Sequence, residues 1–313
     1  MGIYYRDYSD FLKELFPVKM QKLTVNAGFS CPNRDGTLGR GGCSYCNNAS
    51  FSPWLGAADV ASQLEKGKLF FGKKYPDMRY LAYFQSYTNT HADIRRLMAL
   101  YNEAISVDKV DGLIIGTRPD CVSDELLKAL ACMGKPVIME YGAESSHNAT
   151  LELVNRCHTW EQTEDAVMRT VEAGLPVGLH FIMGLPGETE EMMLQTVERV
   201  ATLPVGTVKF HQLQIIRGTV LEREAVCDTA CGGFMFRGAQ IKSFSVEEYV
   251  ELCVKIVATL RRLNPGIAIE RFTSQAPAEL LVSPRWGLKN YQFVNLLHNR
   301  LARTFGDGLS DAM

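Results

Sequence analysis

Three cysteines, Cys31, Cys43 and Cys46, fall in one stretch, NAGFSCPNRDGTLGRGGCSYCNNASF, residues 26–51. Eleven residues separate the first two and two separate the last pair. The longer interval carries Gly36, Gly39, Gly41 and Gly42 among Asn33, Arg34 and Asp35, and neither a helical nor a strand period survives in it. It is predicted as a loop. Glycine-rich backbone can wrap closely around a bound group and aim amides at it. Three thiolates on such a loop point to a metal centre. Structural zinc takes four protein ligands, often as two pairs. Only one pair is present and the loop has no histidine, so zinc would need a distant fourth ligand such as Cys121. An iron–sulfur cubane normally takes four thiolates. With three, one iron stays open to a cofactor or substrate.

The chain that must position these thiols reads as a βα series. Strands are predicted at 22–26, 79–85, 111–116, 136–141, 177–182 and 207–216, nearly continuous apolar runs as in a covered parallel sheet. Helices are predicted at 57–73, 91–105, 123–133 and 160–173. Gly134 and Pro136 close the third of these, and Gly174 and Pro176 the fourth, as helix ends commonly are. The spacing indicates parallel βαβ units. The expected fold is α/β, a partial (β/α)6 TIM-like barrel with a C-terminal α/β extension. The polar clusters after the strands, SYTNT, TRPD, GAESS, GLPGE and HQLQ, fall where such a barrel keeps its site. Turn chemistry accounts for their glycines and prolines. It does not account for Gln85, Arg118, Glu140, Glu144, His180, His211 and Gln214 in or just after the strands.

A short helix within 4–16 is expected to dock on the core. A helix at 245–263 opens with a Ser245–Glu248 capping box and carries an apolar stripe of core type. A further strand is expected at 267–272. A last helix at 286–303 is expected to bury Trp286, Phe293, Leu296 and Leu297. The domain reading is an N-terminal segment over 1–20, a barrel over 21–235 and an extension over 236–313.

With 313 residues, 46% of them hydrophobic, the chain can bury a large core. A net charge of −2 excludes a strongly basic molecule overall, yet residues 261–303 hold seven Lys/Arg against two Asp/Glu. That run is either a solvated face or a phosphate-contacting one. No apolar run reaches membrane-span length and the first residues lack a signal-peptide layout, so a cytoplasmic, membrane-free protein is expected. Nine cysteines then read as free thiols in a reducing compartment. Cys227 and Cys231, four apart, read as packing or surface residues rather than a second cluster. The sequence sets no oligomeric state.

Together the cysteine stretch, AYFQSYTNT, IGTRPD, HFIMGLPGET and a late LKN resemble the radical S-adenosylmethionine (SAM) family of the YhcC/YtqA type, which has an Elp3-like radical SAM domain. The resemblance spans about residues 4–304. It implies a radical SAM barrel in which Cys31, Cys43 and Cys46 ligate a [4Fe–4S] cluster. Tyr45 would lie by the SAM adenine. Residues 85–89, with Gln85, Tyr87 and Asn89, would receive the SAM amine, and Thr117 and Arg118 its ribose or carboxylate. Residues 142–156 look like the stretch of oxygen-independent coproporphyrinogen oxidases in which a glutamine and an arginine bind SAM; here these are Glu144 and Arg156. Glu140 joins this cofactor-binding set. Gly184, with Leu185 and Pro186, would approach the adenine through backbone. His180, His211 and Gln214 are the candidates for catalysis or substrate contact.

The resemblance further implies reductive cleavage of SAM to a 5′-deoxyadenosyl radical, fed by an external one-electron donor such as flavodoxin or ferredoxin. The substrate it suggests is tRNA, at the C5 side chain of the wobble uridine, for example carboxymethylaminomethyl to aminomethyl. The alternatives are a small metabolite or protein substrate, or a non-catalytic iron–sulfur module for electron transfer or sensing.

Overall fold

A computed structural model describes residues 4–50, 59–73, 75, 77–228 and 233–306. Phe51, the first two residues of the helix expected at 57–73, and Cys231 lie outside the described residues.

Seven parallel strands form one curled sheet in chain order: β1 (Met20–Val25), β2 (Arg79–Phe84), β3 (Val110–Thr117), β4 (Val137–Glu144), β5 (Val177–Met183), β6 (Thr207–Gln212) and β7 (Ala268–Arg271). The six expected strands are present. The run at 267–272 adds a seventh, pairing with β6. The helices of eight residues or more are α1 (Tyr8–Leu15), α2 (Val60–Gly72), α3 (Ile94–Ser106), α4 (Asp124–Ala131), α5 (Trp160–Glu172), α6 (Glu190–Ala201), α7 (Val246–Leu263) and α8 (Asn290–Phe305). Each of these except α8 starts on an Asp, Ser or Thr whose side chain accepts a backbone N–H of the first turn. Such caps satisfy amides the helix itself cannot.

Alternation along the strands sorts side chains into two sets. Leu23, Ala82, Phe84, Leu113, Ile115, Met139, Leu179, Phe181, Val208 and Phe210 pack outward against the helices in the main core. The other set faces the barrel axis. At its base lie Leu81, Ile114, Ile138 and Ala268, closed from below by Phe11 and Phe16 of the N-terminal segment. A Cβ on Gly206 would stand 2.6 Å from the Phe11 ring, so glycine there lets α1 seat closely. The same segment reaches the free edge of β7: Ile269 N donates to Arg6 O at 2.8 Å and Asp7 bridges Ile269.

One level up the interior turns ionic. Lys22, Glu140, Lys209 and Glu270, from β1, β4, β6 and β7, form a buried network of 2.6–3.3 Å contacts. The 2.7 Å Lys22–Glu270 pair joins the first and last strands across the barrel. A network of this kind is sustained only when each charge is compensated. Above it the interior opens into the cavity described below.

Three local expectations are corrected. The cysteine interval is not all loop: Pro32–Asp35 forms one helical turn, begun by a proline in the first turn and ended by Gly36 at φ 94°. The strand expected at 207–216 ends at Gln212, and Ile215–Ile216 pair instead with Leu281–Ser283. The last helix starts at Asn290; Gly287 (φ 68°) turns the chain beforehand. Trp286 still packs on Phe293, ring centroids 5.8 Å apart, with Nε1 donating to Phe244 O, but Leu296 is 43% exposed rather than buried. The α7 stripe is core as expected: Tyr249, Val250, Cys253, Ile256 and Leu260 are buried.

Candidate active site

The C-terminal ends of the strands and the cysteine loop enclose an open cavity of about 1190 Å³, mouth included. Cys31, Cys43 and Cys46 all line it. Cys31 precedes the helical turn, and Cys46 N donates to Cys43 O at 3.0 Å in a tight turn. The loop is stapled to the chain around Arg156: Ser44 N donates to Val154 O, Asn155 Nδ2 to Gly42 O, and Asn33 Nδ2 to Asn155 O. Asn33 Nδ2 and Arg156 Nη1 each approach Cys43 Sγ at 3.6 Å. Hydrogen bonds to thiolate sulfurs are a means of tuning an iron–sulfur centre. Burial first, then the nearness of Cys43, pushes the Cys46 thiol up to about 12.

Among the described residues no three Cys, His, Asp or Glu side chains converge as ligands of a single ion would. A cubane distributes its thiolates over separate irons, so thiols along one cavity wall fit it. Cys121 does not line the cavity; its Sγ lies 3.7 Å from Asp120 Oδ1. Unpartnered polar atoms make a second observation. Tyr45 Oη, Thr88 Oγ1, Arg118 Nη1, Arg156 Nε and Arg271 Nε are buried, belong to lining residues and have no hydrogen-bond partner. Buried polar groups are normally satisfied. A polar ligand rich in acceptors would satisfy these, and SAM, with carboxylate, ribose and adenine, is such a ligand.

Backbone strain concentrates here too. Tyr87 (φ 62°), in the loop after β2, and Glu144 (φ 69°), the last residue of β4, are in the left-handed region, and Asn155 (φ 55°) and Cys157 (φ 58°) flank Arg156. Such conformations cost free energy and persist where the surroundings impose them. Gly142 makes room: a Cβ there would stand 2.7 Å from Glu144 Oε1 and 2.9 Å from Arg156 Nη2. The Arg156 guanidinium donates to Gly142 O and lies 3.8 Å from Glu144. Burial raises the Glu144 carboxyl against the pull of Arg156.

Fourteen of the sixteen residues expected from sequence line the cavity: the three cysteines, Tyr45, Gln85, Tyr87, Thr117, Arg118, Glu140, Glu144, Arg156, His180, His211 and Gln214. Asn89 and Gly184 do not. Asn89 is fully buried and ties β2 to β3, donating to Phe84 O (3.0 Å) and Gly116 O (2.6 Å). Gly184 (φ 86°) faces Phe244, whose ring a Cβ would meet at 2.7 Å.

Several of the fourteen are already engaged. Arg118 holds Asp120 through two bonds of 2.9 and 2.8 Å, leaving Nη1 free for an anion. Burial would raise the Asp120 carboxyl, but that bidentate bond lowers it. Glu140, expected to contact cofactor, instead anchors the ionic floor, bonded to Lys209 (2.6 Å) and His180 (3.0 Å). Burial would raise it; Lys209 and Lys22 hold it well below the usual carboxylate range. Burial lowers His180 to about 4 and His211 to about 3, with Lys209 and Arg271 respectively adding to the effect. Both rings are neutral near pH 7. Gln214 Nε2 donates to Ser274 O.

Sequence reasoning gave no site role to Arg34, Tyr83 and Arg271 among the lining residues, and Thr88 lies within the 85–89 stretch it did assign. Arg271 was legible only as one charge in a basic run. That run is not one face: Arg271 enters the cavity, Arg300 pairs with Glu251, Arg262 with Glu198, and Arg261 lies over Phe305.

Comparison with known proteins agrees with this geometry. Residues 31–200 match the Radical SAM superfamily and residues 205–303 the Radical_SAM C-terminal domain. The chain is 31% identical to YtqA of Bacillus subtilis (strain 168), over 95% of this chain and 89% of YtqA. It is 35% identical to YhcC of Escherichia coli (strain K12), over 86% and 82%. A tRNA uridine(34) acetyltransferase of Methanocaldococcus infernus is 25% identical over 61% of this chain and 33% of its own length. The solved structure of the archaeal M. infernus Elp3 with an N-terminal deletion superposes with a TM-score of 0.64 at 18% identity, covering 91% of this chain and 63% of that one. The superfamily binds a [4Fe–4S] cluster and SAM, and both the thiol wall and the unpartnered polar atoms suit that pair. The chain therefore belongs to the radical SAM superfamily, within its YhcC/YtqA-type family with an Elp3-like radical SAM domain.

Proposed function

We propose that this radical SAM enzyme modifies the C5 side chain of the wobble uridine in tRNA, converting carboxymethylaminomethyl to aminomethyl. The carboxymethyl CH2 would lose a hydrogen atom to the 5′-deoxyadenosyl radical and one electron back to the cluster. Water would hydrolyse the resulting imine, so that the nitrogen stays on tRNA and the two-carbon fragment leaves as glyoxylate. The observation that carries an active site here is the shared cavity of three thiols and unpartnered Tyr45, Arg118 and Arg156 atoms. The choice of tRNA is supported by the similarity to a tRNA uridine(34) acetyltransferase.

In this reading Cys31, Cys43 and Cys46 hold the cluster. Arg156, positioned by Gly142 and hydrogen-bonded to Cys43, stabilises the thiolate side of the site. Arg118 Nη1 and Thr117 accept the anionic and ribose parts of SAM. When bound, cluster and SAM together supply a one-electron reductive cleavage that generates a hydrogen-abstracting 5′-deoxyadenosyl radical, a task the cofactor carries while protein positions and shields it. An external electron donor such as flavodoxin or ferredoxin is required. His180 and His211, neutral and facing the cavity, offer hydrogen bonds to substrate without adding charge.

The test is mass spectrometry of tRNA nucleosides from a deletion strain, complemented by wild type or by Cys43→Ala. Accumulated carboxymethylaminomethyluridine, cleared only by the wild-type gene, is expected. An unchanged nucleoside profile, beside SAM cleavage by the reconstituted protein, would move the enzyme to a metabolite or protein substrate.

A further inference from the structure

One half-buried arginine lining the cavity has no ion-pair partner among the described residues. Across β6 and β7 the register runs Ile269 to Val208 and then Arg271 to Lys209. Two residues of β7 thus span one step of β6, a bulge of the kind that re-aims side chains beside active sites. Strict alternation would send Glu270 inward and Arg271 out. With the bulge both serve the interior. Glu270 joins the ionic floor, 2.7 Å from Lys22 and 3.1 Å from Lys209, while Arg271 lines the cavity.

The other cations of the interior are matched: Lys22 and Lys209 to Glu140 and Glu270, Arg118 to Asp120, Arg156 to Glu144. Arg34, at the wall, is exposed. Arg271 forms no hydrogen bond or ion pair with a described residue, and its Nε is buried without a partner. Nearby cavity groups are Glu144, which acts on Arg271 through space but lies against Arg156, His211, neutral, and Gln214, whose amide is fixed by Ser274. The Arg271 Nε is buried with a hydrogen bond unmade, and the half-buried side chain leaves the guanidinium able to take an anion that enters the cavity. A planar guanidinium matches a carboxylate in bidentate fashion.

We propose that Arg271 binds the carboxylate at the tip of the substrate side chain. This rests on the wobble-uridine reading: the carboxymethylaminomethyl group ends in a carboxylate and the aminomethyl product has none. Arg271 then recognises substrate and not product, which sets specificity and favours release after a single reaction.

The experiment compares wild type with Arg271→Gln and Arg271→Lys as cluster-loaded holoenzymes. Three quantities are read: SAM affinity, KM for tRNA from the deletion strain, and binding of N-methylglycine, a small N-alkyl glycine, against its amide, which lacks the carboxylate. Loss of a charged hydrogen-bonded contact predicts a KM rise of roughly 30-fold or more in Arg271→Gln. SAM affinity and cluster absorbance are expected to stay within about twofold of wild type, and the preference for N-methylglycine over its amide to vanish. Arg271→Lys, which keeps charge but not the fork, falls between. If Arg271→Gln loses its cluster, the lysine variant carries the comparison alone. Weakened SAM binding with an unchanged KM would overturn the proposal in favour of a SAM-carboxylate contact. Unchanged KM and N-methylglycine binding would overturn it while leaving the wobble reading intact. Conversely, an Arg271-dependent N-methylglycine site in an enzyme inert toward tRNA would support the anion site and sink the wobble reading.

Discussion

A buried carboxylate outside the ionic floor shows how a single residue couples burial to pH. Glu188, in the GLPGE segment after β5, is buried and accepts from Ser145 Oγ. Burial raises it to about 7 from 4.5, against the opposing hydrogen bonds of Ser145 and Thr150. A carboxyl whose folded pKa is raised binds more protons folded than unfolded between those values. Its contribution is therefore fully present below pH 4.5 and is lost as pH rises through about 7. At pH 8 the ionised group then costs about 3 kcal/mol. Glu188→Gln is expected to gain stability over wild type in urea unfolding, with a gain that grows from pH 5 to pH 8. A difference independent of pH would refute the assignment. At the same scale Gly142→Ala, whose Cβ meets Glu144 and Arg156, is expected to displace Arg156 and weaken SAM binding roughly tenfold in equilibrium titration, about 1.4 kcal/mol.

Among the elements, α1 has a role out of proportion to its eight residues. Its Phe11 closes the barrel base, 5% exposed, against Leu81, Ile114, Ile138 and Ala268. Phe11→Ala is expected to cost about 3–5 kcal/mol in chemical denaturation, the range for truncating a buried aromatic ring. Because the ionic floor sits directly above, the loss should also loosen the Lys22–Glu270 pair that links β1 to β7. The bulge in β7 makes the same point about geometry. One extra residue in a short strand converts an outward arginine into a cavity residue, and no periodicity argument applied to 268–271 would reveal it.

For the whole molecule, the βα order stacks three layers along the barrel axis: an apolar plug, a balanced ionic floor and a cavity rich in unpartnered donors. Ligand binding to the folded state should stabilise that stack by mass action. At a SAM concentration of 100 Kd the gain is about 2.7 kcal/mol. Thermal unfolding of the cluster-loaded protein is expected to shift upward with SAM, and iron chelation to abolish the shift. A SAM-independent midpoint in loaded protein would contradict the assignment of the cavity.

The sequence by itself determined the βα order, the covered parallel sheet, the thiol trio and the family. Apolar runs, helix caps and the spacing of Cys31, Cys43 and Cys46 are local features, and local features survive in one dimension. It also marked most of the cavity wall, because polar residues at strand ends have few structural explanations. Only the tertiary structure decided what those residues do for one another. Glu140 was legible as a polar group but not as the partner of Lys209, since an ion pair of that kind depends on where distant strands meet. Arg271 emerged from a basic run only through a register shift between β6 and β7. Burial and pairing are properties of the closed barrel, set by contacts between segments far apart in the chain.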